Sequence, residues 1–188
     1  DEFDYPFEFL LRSGRAVMIP ALSGTLERGP TPEFPPENQE RERALRWFKD
    51  MGRAVDYLET RPDIDVGKLG IFGLSLGAIH SVRIVALDAR FKVSLMSSGG
   101  LVPGAPPVTD EWNYAPHVRI PVLMQNGRHD FVTPYETSSK PLFDALGTSP
   151  EQKVLRLYDG GHGDIVTRPE AIGEMLNWLD KYLGPVAN

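Results

Sequence analysis

The 188-residue sequence has no cysteine, which excludes disulfide bonds and thiolate chemistry. No apolar run approaches the ~20 residues that cross a bilayer. Acidic residues outnumber basic ones by 26 to 20, giving a net charge of −6, so we expect no nucleic-acid partner. No histidine–carboxylate cluster has metal spacing and no glycine-rich phosphate loop occurs, so we expect neither a metal nor a cofactor.

The composition is that of an ordinary globular domain, with 41% hydrophobic and 24% charged residues. We expect a single domain over residues 1–188, because no linker or internal repeat divides the chain. No basic segment followed by a short apolar run indicates a signal peptide, so we expect a cytoplasmic location. The chain opens at Asp1 without a methionine, and a missing start would hide such a peptide.

Apolar runs and amphipathic segments alternate along the chain, which predicts a parallel sheet covered by helices on both faces. The fold class is therefore α/β, with three α/β/α layers and a mostly parallel sheet. Predicted strands lie at 15–20, 68–72, 91–97, 120–126 and 153–158. Predicted helices lie at 5–12, 37–60, 78–87, 135–146 and 169–183, and proline-rich connections at 21–36 and 101–119.

The most informative motif is a G-x-S-x-G pattern centred on Ser75, between Gly73 and Gly77. The predicted strand at 68–72 precedes it and a helical segment follows it, which is the context of a nucleophile elbow. Such a turn holds the serine hydroxyl out at its tip, where a substrate reaches it. The backbone N–H of Leu76 opens the helix without a partner inside it, so it is a candidate oxyanion donor.

A serine hydroxyl is a weak nucleophile until a base takes its proton, and an acid must orient that base. Asp130 lies three residues after Gly127, where the predicted strand at 120–126 breaks. His162 lies in a glycine-rich loop after the predicted strand at 153–158. Because ligands bind at the carboxyl ends of strands in open α/β sheets, we favour Ser75, His162 and Asp130 as the catalytic group.

Other residues of the same types have simpler interpretations. We expect His129 to have a structural or pocket-wall role, because it neighbours Asp130 in sequence and points away from it. We expect His80 to pack on the helix after the motif, and we see no partner for His117. As the acid, we favour Asp130 over two alternatives. We expect Asp159 to cap the turn at the end of its strand, and Asp164, two residues from His162, to be solvated.

The motifs Gly73–Gly77, Asn126–Asp130 and Gly160–Gly163 together resemble those of the α/β-hydrolase superfamily. The dienelactone-hydrolase-like and prolyl-oligopeptidase-like branches are the most similar. Residue by residue, the resemblance implies a serine esterase with Ser75 as nucleophile, Asp130 as acid, His162 as base and Leu76 as one oxyanion donor. The expected substrate is a small carboxylic ester.

Three departures from the family pattern are visible. Ala78 occupies a position that is often a second glycine, a small change. By the same resemblance we expect the first strands of the full fold to be absent, and with them the glycine-rich motif that supplies the second oxyanion donor: either the chain is a fragment, or the fold is reduced and finds that donor elsewhere. In the full fold, one of the absent strands lies between those predicted at 15–20 and 68–72. Without it, these two strands must pair directly, or a sheet edge is left to be covered by an upstream segment or a second copy of the chain.

Only residues 101–119 are available for a lid over the site, which is too short for a multi-helix cap. We therefore expect an open pocket that suits short acyl chains. Trp112 and Tyr114 are candidates for its wall, or alternatively pack this loop onto the domain. Two other functions stay open: a serine peptidase of the prolyl-oligopeptidase type, and a non-catalytic sensing or interaction domain of a larger protein. A dienelactone-type lactonase has a cysteine nucleophile, which this chain lacks.

Overall fold

The computed structural model describes residues 7–29 and 37–186, without the side chains of residues 37 and 38. Four parallel strands form one sheet in chain order. They are β1 (Gly70–Leu74), β2 (Val93–Ser97), β3 (Val122–Gly127) and β4 (Lys153–Tyr158). Because all four run the same way, their carboxyl ends lie along one edge of the sheet, where the loops that carry the candidate residues begin.

The helices connect and flank these strands. They are α1 (Glu8–Arg12), α2 (Glu37–Glu59), α3 (Leu76–Leu87), α4 (Lys140–Ala145) and α5 (Pro169–Leu183). The predicted helix at 135–146 is divided into a π-helical turn, Tyr135–Ser139, and α4. Parts of two predicted segments, residues 5–6 and 30–36, lie outside the described residues. No helix in the described ranges is long and apolar enough to cross a membrane.

Two apolar cores lie on opposite faces of the sheet, because successive strand side chains point to opposite sides. Met96 of β2 packs on one face with residues from α2, α3 and α4. Its neighbour Leu95 packs on the other face with residues from α1 and α5, including Met175 and Trp178. Helices therefore cover the sheet on both sides, which confirms the predicted three-layer α/β architecture.

The predicted strand at 15–20 is wrong. These residues follow α1 without joining the sheet, and Met18 and Ile19 are 40% and 53% exposed. A strand needs a hydrogen-bonded partner as well as an apolar pattern, and within the described ranges β1 pairs with β2 alone. Direct pairing of 15–20 with the serine-bearing strand therefore does not occur, and β1 lies at the edge of the described sheet.

Candidate functional site

Ser75 lies between the end of β1 and the start of α3, with φ 52° and ψ −115°. Its backbone is in the left-handed region, which costs a non-glycine residue about 1 kcal/mol or more. The Ser75 N–H donates to the Ser97 carbonyl at 2.9 Å, which anchors the turn to β2. The first residue of α3 is Leu76, whose N–H has no acceptor within the helix.

The two glycines of the motif are not equivalent. A Cβ at Gly73 would lie 2.4 Å from the backbone carbonyl group of Gly77, so the turn requires a glycine there. A Cβ at Gly77 meets nothing within 4 Å. The side chain of Ala78, where a glycine is common, points towards Gly99: a Cβ at Gly99 would lie 2.8 Å from the Cβ of Ala78. The glycine at position 99 therefore accommodates the extra methyl group.

The structure brings Ser75, His162 and Asp130 together. His162 Nε2 lies 2.7 Å from Ser75 Oγ, and His162 Nδ1 lies 2.8 Å from Asp130 Oδ2. An ionised carboxylate only accepts hydrogen bonds, so Nδ1–H donates to Asp130 and Nε2 is left to accept from the serine hydroxyl. This is the tautomer in which the imidazole can remove the serine proton.

Asp130 is 4% exposed and receives several hydrogen bonds. Its Oδ1 accepts from the backbone N–H groups of Val132 and Thr133, at 2.8 and 2.9 Å, and its Oδ2 accepts from Thr133 Oγ1 at 2.9 Å. Burial raises the pKa of Asp130, but the hydrogen bonds from Thr133 and His162 outweigh it, so the pKa is lowered overall. The carboxylate therefore stays ionised and holds the imidazole in place.

The loop that carries His162 is fixed by a residue that sequence reasoning missed. Gly163 has φ 82° and its N–H donates to Ser98 Oγ at 3.0 Å. Ser98 follows β2, is fully buried, and has a left-handed backbone with φ 52°. The hydroxyl of Thr133, which donates to Asp130, lies 3.4 Å from the Ser98 carbonyl oxygen. Ser98 thus joins the acid loop and the histidine loop, although no local motif indicates it.

The other candidate histidines lie apart from this group. His129 Nε2 is 3.1 Å from Asp159 Oδ1, and both side chains are exposed. His80 is buried against Trp47, with ring centroids 4.5 Å apart. Burial and the nearby guanidinium groups hold the pKa of His80 well below its ordinary value, so its imidazole is neutral. His117 is exposed in a short 3₁₀ turn.

The alternative acid Asp164 accepts from the backbone N–H of Gly161 at 2.7 Å and so shapes the histidine loop. Neither Asp159 nor Asp164 contacts the ring of His162 in a hydrogen bond. No group of three His, Cys, Asp or Glu residues in the described part of the chain is placed to hold a metal ion.

A cavity of about 260 Å³ lies beside the motif and reaches Leu76. Helices α2 and α3 and the segment 102–111 form its wall. Its apolar lining residues are Leu76, Ile79, Val102, Pro103, Ala105 and Pro106, and its charged ones are Glu40, Arg43, Arg83 and Glu111.

The two aromatic residues proposed as pocket walls are not part of this lining. Trp112 is 53% exposed, and the hydroxyl of Tyr114 donates to the carbonyl of Val108 at 2.7 Å within the same loop. The ring of Tyr114 packs against the core on the α3 side of the sheet. The structure thus gives Tyr114 the packing role that the sequence left as the alternative.

Comparison with known proteins places the chain among hydrolases. The model of the dienelactone hydrolase family matches residues 31–177. The uncharacterized protein YfhR of Salmonella typhi is 28% identical over 142 residues, which cover 62% of this chain and 48% of that protein. YfhR of Escherichia coli K12 is also 28% identical, and the match covers 61% of this chain and 45% of that protein. The chain spans about half the length of these relatives.

Solved structures give the same fold. The zinc-bound structure of a cold-adapted esterase from an Arctic intertidal metagenomic library is 28% identical with a TM-score of 0.61; the match covers 72% of this chain and 57% of that one. The acylaminoacyl peptidase of Pyrococcus horikoshii is 18% identical with a TM-score of 0.62, over 77% of this chain and 29% of that one. At that identity the likeness concerns the fold alone.

The fold and the family match agree with the resemblance found in the sequence. The matched range includes the serine motif and both loops that meet it, and it covers well over half of the chain. The chain belongs to the dienelactone hydrolase family of α/β hydrolases.

Proposed function

We propose that this chain is a serine esterase that cleaves carboxylic esters with short acyl chains through an acyl-enzyme. The observation that carries the proposal is the continuous hydrogen-bonded chain from Ser75 Oγ through His162 to Asp130, with distances of 2.7 and 2.8 Å. A strained serine at a strand–helix turn, an imidazole within reach of its proton and an ionised, buried carboxylate are the parts that acyl transfer needs.

In the first step Ser75 Oγ attacks the ester carbonyl carbon while His162 Nε2 takes the hydroxyl proton. Asp130 holds the imidazolium that forms, and the Leu76 N–H donates to the oxyanion. The tetrahedral intermediate then collapses: the bond to the alcohol oxygen breaks, and His162 returns the proton to that oxygen. Water repeats the sequence on the acyl-enzyme, releasing the carboxylic acid and restoring Ser75.

The size of the cavity beside Leu76 supports short acyl groups. At about 260 Å³, the cavity lies just below the range of roughly 300–1,000 Å³ that is typical of pockets for drug-sized ligands. Its contact with Leu76, the residue after the serine, and its apolar residues, such as Ile79 and Val102, support an acyl-binding role.

The test is labelling with a fluorophosphonate probe, located by mass spectrometry, together with turnover of p-nitrophenyl butyrate. We expect the label on Ser75, and a fall of roughly 10⁶-fold in kcat in Ser75→Ala. The exposed Ser149→Ala is the matched control and should keep both signals. Faster cleavage of aminoacyl-nitroanilides than of esters would favour a peptidase. Absence of both labelling and turnover would favour a non-catalytic domain.

A further inference from the structure

The cavity wall contains two guanidinium groups that are already paired. Arg43 of α2 lies 2.6 Å from Glu40, and its guanidinium stacks over the ring of Trp47 at 4.8 Å. Arg83 of α3 forms an ion pair with Glu111. Both arginines are more than 90% buried, and Glu111 is 1% exposed.

Arg83 is held on several sides. Its Nη1 donates to Glu111 Oε1 and to the carbonyl oxygen of Thr109, and its Nη2 donates to His80 Nδ1. The neutral imidazole accepts that bond, since the pKa of His80 is well below its ordinary value. The guanidinium of Arg83 is therefore fixed in the wall by partners from α3 and from the loop after β2.

Among the described lining residues, the formal charges of the wall cancel when both glutamates are ionised, because Arg43 pairs with Glu40 and Arg83 with Glu111. An unpaired arginine in a cavity binds carboxylates strongly, since its fork matches the carboxylate oxygens. A carboxylate entering this cavity would instead add a third anion beside Glu40 and Glu111. Burying it without a free partner is costly, whereas an uncharged chain contacts the apolar part of the wall.

We propose that the cavity accepts acyl groups without charge and rejects acyl groups that carry a carboxylate, with Glu111 setting this preference by neutralising Arg83. This inference rests on the proposed esterase function and specifies the substrate class of the same site. Glu111 acts here as a specificity-determining residue: it makes no contact with the reacting atoms and changes which acyl chain the cavity admits.

The charge of Glu111 also makes the preference depend on pH. Burial raises the pKa of Glu111 to about 7, helped by Asp110 and Glu40 and opposed by Arg83. Protonation below pH 7 removes the negative charge and leaves Arg83 uncompensated. The rejection of anionic acyl groups should therefore be strongest at pH 8 and weaken as the pH falls towards 6. Of the other charged groups that act on Glu111, Glu40 is paired with Arg43, and Asp110 accepts a hydrogen bond from the backbone N–H of Trp112.

The test compares two p-nitrophenyl esters whose acyl chains have the same shape and atom count: 6-methylheptanoate, which is neutral, and monoadipate, which ends in a carboxylate. At pH 8 we expect the wild type to prefer the neutral ester by about 100-fold in kcat/KM. In Glu111→Gln this ratio should fall about tenfold or more, because Arg83 is left free to bind the adipate carboxylate. The exposed Glu151→Gln is the matched control and should keep the wild-type ratio.

A second variant keeps the test decisive if Glu111→Gln does not fold. The double variant Arg83→Met/Glu111→Gln removes both charges, and replacing a buried pair in this way is often neutral for stability. Its ratio should return to that of the wild type. Equal turnover of the two esters by the wild type, or a preference for the adipate, would overturn the inference while leaving the esterase function intact. No turnover of either ester and no phosphonate label on Ser75 would overturn both.

Discussion

Ser98 offers the sharpest test of how the site is held together. Its hydroxyl accepts the N–H of Gly163, the residue after His162, at 3.0 Å, and its backbone has φ 52°. Replacing it with alanine removes the hydrogen bond and keeps the left-handed backbone. Replacing it with glycine removes the same bond but relieves the conformational cost, because glycine has no Cβ. The two variants thus differ in stability and share the loss at the histidine loop.

The expected changes in stability follow from the lost hydrogen bond and from the conformational cost of the left-handed backbone. A hydrogen bond of this kind contributes about 1 kcal/mol net, and the left-handed conformation costs a non-glycine residue about the same. Ser98→Ala should therefore lose about 1 kcal/mol of unfolding free energy, or roughly 3 °C in Tm for a chain of this size. Ser98→Gly should be within about 0.5 kcal/mol of the wild type, since the two effects offset each other. Both should lose about fivefold to tenfold in kcat, because the histidine loop is no longer tied to β2.

The assay is p-nitrophenyl butyrate turnover, with the rate of phosphonate labelling as a second readout and thermal unfolding in parallel. We expect KM to stay constant, because Ser98 does not line the cavity. Ser97→Ala is the control: the Ser97 side chain is 1% exposed, and its Oγ has no hydrogen-bond partner in the described part of the chain. Wild-type kcat in Ser98→Gly, with a loss in Ser98→Ala alone, would show that activity follows stability and would refute the reasoning.

Two further predictions concern the acid and the motif. Thr133→Val removes the hydroxyl that donates to Asp130 at 2.9 Å and should raise the lowered pKa of that carboxylate. A carboxylate with a lowered folded-state pKa stabilises the protein at pH values above its unfolded-state pKa, and this stabilisation is lost as the pH falls through the folded-state pKa. The variant, whose pKa is less lowered, should therefore unfold at a higher pH than the wild type. The measurement is an acid titration followed by circular dichroism. An unchanged midpoint would contradict this. Gly77→Ala should fold normally and gain up to about 1 kcal/mol in helix propensity, whereas Gly73→Ala should fail to accumulate as folded protein, because its Cβ meets the Gly77 backbone. Comparable melting curves for the two alanine variants would show that the turn is not this tight.

The sequence predicted strands and helices correctly where local residue patterns mark their ends. The predicted strand at 153–158 and helix at 169–183 coincide with β4 and α5. Their ends are marked by glycine, proline or a clear change in hydrophobic period, which are local signals. The segment 15–20 has the same apolar character and yet forms no strand, since within the described ranges it forms no ladder with β1 or with any other strand of the sheet.

The site was predictable to the extent that each loop carries its own motif. Ser75, Asp130 and His162 each follow a strand within a glycine-containing turn, so their types and positions indicated that they would meet. Ser98 was missed because it contributes only a hydroxyl and a backbone angle, and neither leaves a pattern in the sequence. The cavity was missed for a similar reason: its wall combines residues of α2, α3 and a loop that are far apart in the chain.

The arrangement of the three central residues has a consequence for how the protein folds. His162 is 32 residues from Asp130 and 87 from Ser75, and the strands that position them are parallel, so each is joined to the next by a long crossover. Contacts with such large sequence separation form late, because loop-closure entropy is lost before they stabilise the chain. Helix content should thus return early during refolding, and ester hydrolysis should return last, as a reporter of the completed sheet.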